Sequence, residues 1–155
     1  MKIEFWYIGK TNEKYLIQGM DIFRKRLKHY CNFKEVLLKD VKPGHNALET
    51  KARESEMILS KISNGDYLIL LDEAGKEFSS EKFAAKIEQF QLRSTQKIIF
   101  LVAGAFGADK ALKERANLLL SLSKMTFSHQ MVRLFFLEQL YRAFTIIKNE
   151  KYHNS

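Results

Sequence analysis

The sequence is poor in cysteine, proline and glycine, with one Cys, one Pro and seven Gly among 155 residues. A single cysteine, Cys31, excludes an internal disulfide and a cysteine-based metal site, so we expect a reducing, cytoplasmic location. The four histidines are far apart and show no metal-ligand spacing, so we also expect no metal site. No apolar run approaches the about 18 residues that cross a membrane. The start, MKIEFWYIGK, is a poor match to a signal peptide.

The shortage of proline and glycine also leaves no linker. The only proline lies in VKPGHN, which indicates a loop, and there is no internal repeat or low-complexity stretch. We therefore expect one domain, residues 1–155, large enough for its own hydrophobic core. Acidic residues are outnumbered, 18 against 26 Lys and Arg, and the excess is spread along the chain. A net charge of +8 favours a polyanionic partner such as nucleic acid, although solubility alone would explain a charge of this size.

Short apolar runs alternate with helical patterns along the whole chain. The runs are apolar throughout rather than alternating, which is typical of parallel strands covered on both faces. We predict a three-layer α/β fold with a mainly parallel sheet of about five strands. The predicted strands are 2–8, 33–38, 66–72, 97–103 and 118–123. The predicted helices contain 16–27, 46–62, 83–90, 108–115 and 129–148.

Common nucleotide and hydrolase motifs are missing. GAFGAD (104–109) lacks the G-x-G-x-x-G spacing, so Gly104 and Gly107 indicate a tight strand exit. No Walker loop and no G-x-S-x-G elbow is present. The adjacent carboxylates Asp72 and Glu73 indicate a strand-end turn rather than an acid/base pair. The basic stretch FRKRLKHY (23–30) is either a solvated helix face or a patch that faces RNA.

The last predicted helix is too apolar for a helix that covers one face of a sheet. In projection its polar residues leave only a narrow stripe through Glu138, Arg142 and Thr145. We predict a second cover, most simply another copy across a two-fold axis, and hence a homodimer through this helix. Arg133 falls among apolar residues, which is costly unless it meets an anion or a carboxylate. Arg142 has two competing roles, a functional one and an i,i+4 pair with Glu138.

The C-terminal signature LSLSKMTFSHQMVRLFFLEQLYRAF (120–144), followed by KYH (151–153), closely resembles the RlmH-type SPOUT RNA methyltransferases. The start MKIEFWYIGK, the strand end LLDEAGK (70–76) and the glycine loop extend the resemblance over essentially the full chain. The resemblance implies a homodimeric enzyme that uses S-adenosyl-L-methionine to methylate N3 of a pseudouridine in the helix 69 loop of 23S ribosomal RNA. It also implies an α/β fold whose C-terminal part forms a trefoil knot.

The resemblance further implies the site residues. Arg142, and secondarily Arg133, would hold RNA phosphate or the developing negative charge. His129 either takes the N3 proton or is a capping residue, while Tyr152 and His153 either form a frayed tail or close over the target base. The implied cofactor-binding residues are Leu71, Ala103, Gly104, Gly107, Leu122, Ser123, Lys124, Met125, Thr126 and Phe127.

The sequence departs from the family pattern at a few positions. Ala103 stands where a glycine is usual, which would weaken cofactor binding if that position needed a positive φ. Ser128 replaces the usual proline, so we expect a looser entry into the last helix, and Asn149 and Lys151 replace a usual Gly and Pro. Two other functions stay open: a non-catalytic ribosome-binding or RNA-binding module, and a methyltransferase of the same fold that acts on transfer RNA.

Overall fold

A computed structural model describes residues 1–153 of the chain. Within them, five strands alternate with five helices, as the sequence pattern predicted. The strands are β1 (Lys2–Ile8), β2 (Asn32–Leu38), β3 (Tyr67–Glu77), β4 (Lys97–Val102) and β5 (Leu118–Ser121). The helices are α1 (Lys14–Leu27), α2 (Ala47–Leu59), α3 (Ser80–Leu92), α4 (Lys110–Arg115) and α5 (Met131–Ile147). None of these helices is long and apolar enough to cross a membrane.

The five strands form one sheet in the order β2-β1-β4-β3-β5, and every neighbouring pair is parallel. Helices α1, α3 and α5 cover one face, and α2 and α4 cover the other. Successive residues of β1 serve the two faces: Phe5 packs under α5, 4.7 Å from the ring of Phe136, whereas Trp6 belongs to the opposite core. The predicted three-layer α/β class is therefore confirmed, and its central strands are apolar throughout because both of their faces are buried.

Strand β3 continues beyond its predicted end. Leu71 and Lys76 both pair with Leu120 of β5, so the four residues between them leave the ladder and the strand then resumes to Glu77. Gly75 permits this return, because a Cβ there would lie 2.6 Å from the carbonyl carbon of Leu119. A close contact between a glycine and a neighbouring backbone leaves no repeating hydrophobic pattern in the sequence. The pattern therefore indicated a loop at this position.

Helix α5 is covered mostly within its own chain. It packs on the sheet between α1 and α3, and Gly19 of α1 lies so close that a Cβ would meet Leu134 at 2.9 Å. The two flanking helices of the same chain supply much of the second cover that the sequence predicted, and a copy across a two-fold axis stays a prediction. Phe135, with 40% of its surface exposed, is the main exception.

Candidate active site

The carboxyl ends of the parallel strands meet at one edge of the sheet, where α/β proteins place their ligands. A cleft of about 440 Å³ opens there. Its walls come from the segments that follow three strands: 71–74 after the first part of β3, 102–108 after β4, and 120–129 after β5. Lys51 of α2 and Lys113 of α4 complete the rim.

Nine of the ten predicted cofactor-binding residues line this cleft, and Lys124 is the exception. The segment after β5 is held by its own hydroxyl groups. Ser121 Oγ donates to the carbonyl oxygen of Ser123 over 2.7 Å, and the backbone N–H of Met125 donates to Ser123 Oγ over 2.9 Å. Lys124 lies on the same turn, is exposed, and does not line the cleft.

The glycine loop makes a tight turn between β4 and α4. The backbone N–H of Gly107 donates to the carbonyl oxygen of Gly104 over 3.0 Å, and Gly107 has φ +77°. Ala103 does not have a positive φ. Among residues 1–153, the only non-glycine residues with a positive φ are Ser94 and Asn149. The alanine at position 103 is therefore free of the backbone strain that its departure from the family pattern suggested.

The two acidic residues at the cleft, Asp72 and Glu73, both have partners within the chain. Asp72 forms an ion pair with Lys113 at 2.9 Å, and its Oδ1 accepts the backbone N–H of Ala74 over 2.9 Å. The Glu73 carboxylate accepts a hydrogen bond from the Thr126 hydroxyl, which joins two walls of the cleft. Both carboxylates therefore have structural partners and do not pair with each other, but they lie in the irregular middle of β3 and not at a strand end, because the strand continues to Glu77.

His129 lies at the cleft just before α5. Partial burial lowers its pKa below the ordinary 6.5, and the Arg133 charge lowers it further against a weaker opposing effect of Asp40. The imidazole is therefore mainly neutral near pH 7 and able to accept a proton. Ser128 Oγ accepts the backbone N–H of Met131 over 3.0 Å, a contact at the helix entry that a proline could not make.

Arg133 requires a correction, because it meets neither an anion nor a carboxylate. Its side chain is 1% exposed, and its guanidinium donates to the carbonyl oxygens of Ile8 (2.7 Å), Gly9 (3.0 Å) and His129 (3.1 Å). The same group lies 4.4 Å from the ring centroid of Tyr7. The secondary role predicted for Arg133 in holding RNA phosphate does not fit this geometry. Backbone carbonyls replace the expected counter-ion, and sequence patterns do not show carbonyl directions.

The other three predicted catalytic residues lie together but away from the cleft. Arg142 pairs with Glu138 at 2.5 Å, which confirms the i,i+4 interaction. The Tyr152 hydroxyl donates to the same carboxylate over 3.0 Å, and the Arg142 guanidinium lies 4.8 Å from the Tyr152 ring centroid. His153 Nε2 lies 2.8 Å from a carboxylate oxygen of Glu81, whose pKa is lowered to about 2 by a backbone hydrogen bond and by His153. The frayed-tail alternative is therefore wrong for Tyr152 and His153.

Comparison with known proteins identifies the family. A family model described as "Predicted SPOUT methyltransferase" matches residues 1–153. The chain belongs to the SPOUT methyltransferase family. Three relatives, each named ribosomal RNA large subunit methyltransferase H, align over 99% of this chain and 99–100% of their own length. They come from Christiangramia forsetii (47% identical), Parabacteroides distasonis (44%) and Cytophaga hutchinsonii (47%). The family resemblance predicted from the C-terminal signature is thus confirmed.

Sequence reasoning missed two residues of this SPOUT protein that approach the cleft from α2. Lys51 is on the rim, and Glu54, one turn later, contacts Gly104. A signal was available: Thr50, Glu54 and Ile58 recur every four residues and are all buried, so the carboxyl lies on the inner face of the helix. The polarity of α2 as a whole concealed that face.

Proposed function

We propose that this SPOUT methyltransferase uses S-adenosyl-L-methionine to methylate N3 of a pseudouridine in helix 69 of 23S ribosomal RNA, in the cytoplasm. The proposal is carried by the 440 Å³ cleft, whose three walls are the segments that the family resemblance assigns to the cofactor. The names of the aligned relatives, which specify ribosomal RNA of the large subunit, support the substrate class.

The residues of the cleft suit a neutral adenosine with a short amino-acid tail. Its volume is within the range of pockets for ligands of this size, roughly 300–1,000 Å³. Leu71, Leu122 and Val132 supply apolar contact, and the glycine loop presents backbone groups to polar edges. Asp72 is paired with Lys113, and the Glu73 carboxylate is held in place by the Thr126 hydroxyl. The cofactor, when bound, supplies a methyl group on a sulfonium centre.

In the reaction, the residues of this chain would align the target base with the cofactor and stabilise the negative charge that develops on the base. N3 of the pseudouridine must lose its imide proton, and His129, which lines the cleft and is mainly neutral, would accept it. Arg142 is the cation that would stabilise the anionic ring or bind a neighbouring phosphate. Tyr152 and His153 would then cover the target base, an arrangement suited to an unpaired loop.

A homodimer would bring these parts together. Within one chain, the tail cluster of Arg142, Tyr152 and His153 does not line the cleft. Apolar side chains remain exposed at the cleft and on α5 beside it: Phe106 (53%), Met125 (76%), Phe127 (37%) and Phe135 (40%). Phe127 and Phe135 pack together with their centroids 4.8 Å apart, which favours a partner surface there. We propose that a partner's tail completes the site, and that residues around the cleft form the trefoil knot implied by the family.

The proposal is tested by a binding measurement and an RNA analysis. Calorimetry should show one S-adenosylmethionine bound per chain, and mass mapping of 23S RNA from a deletion strain should show one methyl group lost from the helix 69 pseudouridine. Absence of cofactor binding would leave a non-catalytic RNA-binding module. An unchanged ribosomal RNA with a methyl group lost from transfer RNA would instead identify a transfer RNA methyltransferase.

A further inference from the structure

Glu54, on α2, is a buried carboxyl group with an oxygen that nothing satisfies. The residue is 9% exposed. Its Oε2 is the only buried side-chain oxygen or nitrogen without a hydrogen-bond partner among residues 1–153. A buried polar group without a partner loses the hydrogen bonds that water would give it, and the loss is greater when the group is charged. A group of this kind is a sign of a partner that arrives with a ligand.

The carboxyl group points at the wall of the cofactor cleft. A Cβ added to Gly104 would lie 2.5 Å from Oε2 and 2.6 Å from Oε1, so glycine leaves the space that the carboxyl group occupies. Gly104 itself lines the cleft, and so does Lys51, one helical turn before Glu54 on the same side of α2. No side chain at position 104 therefore stands between the carboxyl group and the cleft.

The electrostatic surroundings of Glu54 favour a cationic partner. Burial raises the pKa of its carboxyl group, and the negative charge of Asp40 beyond β2 raises it further. The other charged or titratable groups at the cleft are Lys51, His129 and the Lys113–Asp72 pair together with Glu73. A positive group brought to the free oxygen would stabilise the ionised carboxylate and remove the cost of its burial.

We infer that Glu54 binds the α-ammonium group at the amino-acid end of the methyl donor, through the gap that Gly104 leaves in the cleft wall. This inference rests on the proposed function. The sulfonium is the other cation of the cofactor, but a carboxylate beside it would stabilise the charge that methyl transfer removes and would slow the reaction. The ammonium keeps its charge throughout, so binding it holds the cofactor without that penalty.

Three related ligands separate a contact with the ammonium group from general support of the loop. S-adenosylmethionine and S-adenosylhomocysteine both carry the ammonium group, whereas 5′-methylthioadenosine lacks the amino-acid end. Calorimetry on Glu54→Gln should show both ammonium ligands weakened about tenfold or more, with 5′-methylthioadenosine unchanged. Glu56→Gln, an exposed position on the same helix, is the matched control and should bind all three ligands as the unmodified chain does.

Proton counting gives a second readout that does not depend on affinity. Below its raised pKa the free carboxyl group holds a proton, so binding of the ammonium should release it. Titrations in two buffers of different ionisation enthalpy, at pH values just above the ordinary carboxyl pKa of 4.5, should show this release for the unmodified chain and not for Glu54→Gln. Subtracting the two removes the contribution of His129, which both proteins share.

Two results would overturn the inference: equal weakening of all three ligands by Glu54→Gln, or equal proton release by both proteins. Either would make Glu54 a support for the glycine loop. Circular dichroism of Glu54→Gln checks that its fold is retained, and binding of 5′-methylthioadenosine shows that its adenosine site is intact. If no ligand bound the unmodified chain, the proposed function would fail first, and the two failures are thus distinguishable.

Discussion

Nη2 of Arg133 donates to the carbonyl oxygen of Ile8 over 2.7 Å, so α5 is tied to the last residue of β1. The same guanidinium reaches Gly9, Thr11 and the carbonyl oxygen of His129. Gln130 adds two more links, accepting the backbone N–H of Asn12 and donating to the carbonyl oxygen of Lys10. The start of α5, and with it His129 at the cleft, is therefore held by the segment 8–12 that follows the first strand.

Arg133→Met should destabilise the protein strongly, because it leaves several buried carbonyl groups without a donor. We expect the free energy of unfolding to fall by about 3 kcal/mol, measured by urea denaturation. Arg93→Met, at an exposed position beyond α3, should change it by less than about 0.5 kcal/mol. Equal stability of the two variants would show that the guanidinium bonds are replaced by water.

Stability should decrease at mildly acidic pH through His129. A histidine whose folded pKa lies below its unfolded value of 6.5 contributes stability that is complete above 6.5 and is lost as the pH falls through the folded value. Urea denaturation between about pH 5 and pH 8 should therefore show a decline that His129→Gln reduces. His45→Gln, at an exposed histidine, is the control and should follow the unmodified chain. An unchanged slope in His129→Gln would contradict the lowered pKa.

Most of the fold could be predicted because apolar runs and capping residues are local signals. Asn46 accepts the backbone N–H of Glu49, and Ser79 accepts that of Lys82, so α2 and α3 both begin after residue types that commonly cap helices. The return of β3 after Gly75 and the enclosure of α5 by α1 and α3 could not be predicted in this way. Both depend on how closely one backbone approaches another element, which has no periodicity in the sequence.

Gly75→Ala tests the close approach of β3 to β5. The new Cβ would lie 2.6 Å from the Leu119 carbonyl carbon and 2.7 Å from the nitrogen of Leu120, so one of the strands must move. We expect a loss of about 1–3 kcal/mol in unfolding free energy, measured by urea denaturation. Gly65→Ala, where a Cβ meets nothing within 4 Å, should change it by less than about 0.5 kcal/mol. Equal tolerance of both alanines would mean that β3 does not return to β5.

The exposed pair Phe127–Phe135 should matter for association rather than for folding. Phe135→Asp places a charge on an apolar surface that we propose a second copy covers, so analytical ultracentrifugation should show a shift from dimer to monomer. The comparison variant is Leu92→Asp, which alters an equally apolar side chain, 80% exposed, at the end of α3, and should stay dimeric. A monomeric unmodified chain would remove the homodimer from the proposed function.

The candidate site was predictable only where the family signature fixed its residues. The segments that the family resemblance assigns to the cofactor follow three strands whose ends topology brings together, so most of their residues line one cleft. Glu54 was missed because its neighbour Gly104 is distant in sequence, and Arg133 was misassigned because its partners are backbone carbonyls. Such pairings arise from the packing of separate elements, which composition and spacing do not determine.

Arg142→Ala should separate catalysis from cofactor binding. Arg142 lies outside the cleft, so the affinity for S-adenosylmethionine should stay within about threefold, measured by calorimetry. Loss of the cation should lower methyl transfer to 23S RNA by about 100-fold or more, measured with radiolabelled cofactor. Lys148→Ala, at an exposed cation that follows α5, should retain full transfer, and Arg142→Lys should recover only part of it, because an ammonium lacks the guanidinium fork that binds Glu138. Full transfer by Arg142→Ala would confine this arginine to its pair with Glu138 and leave the negative charge of the reaction to another group.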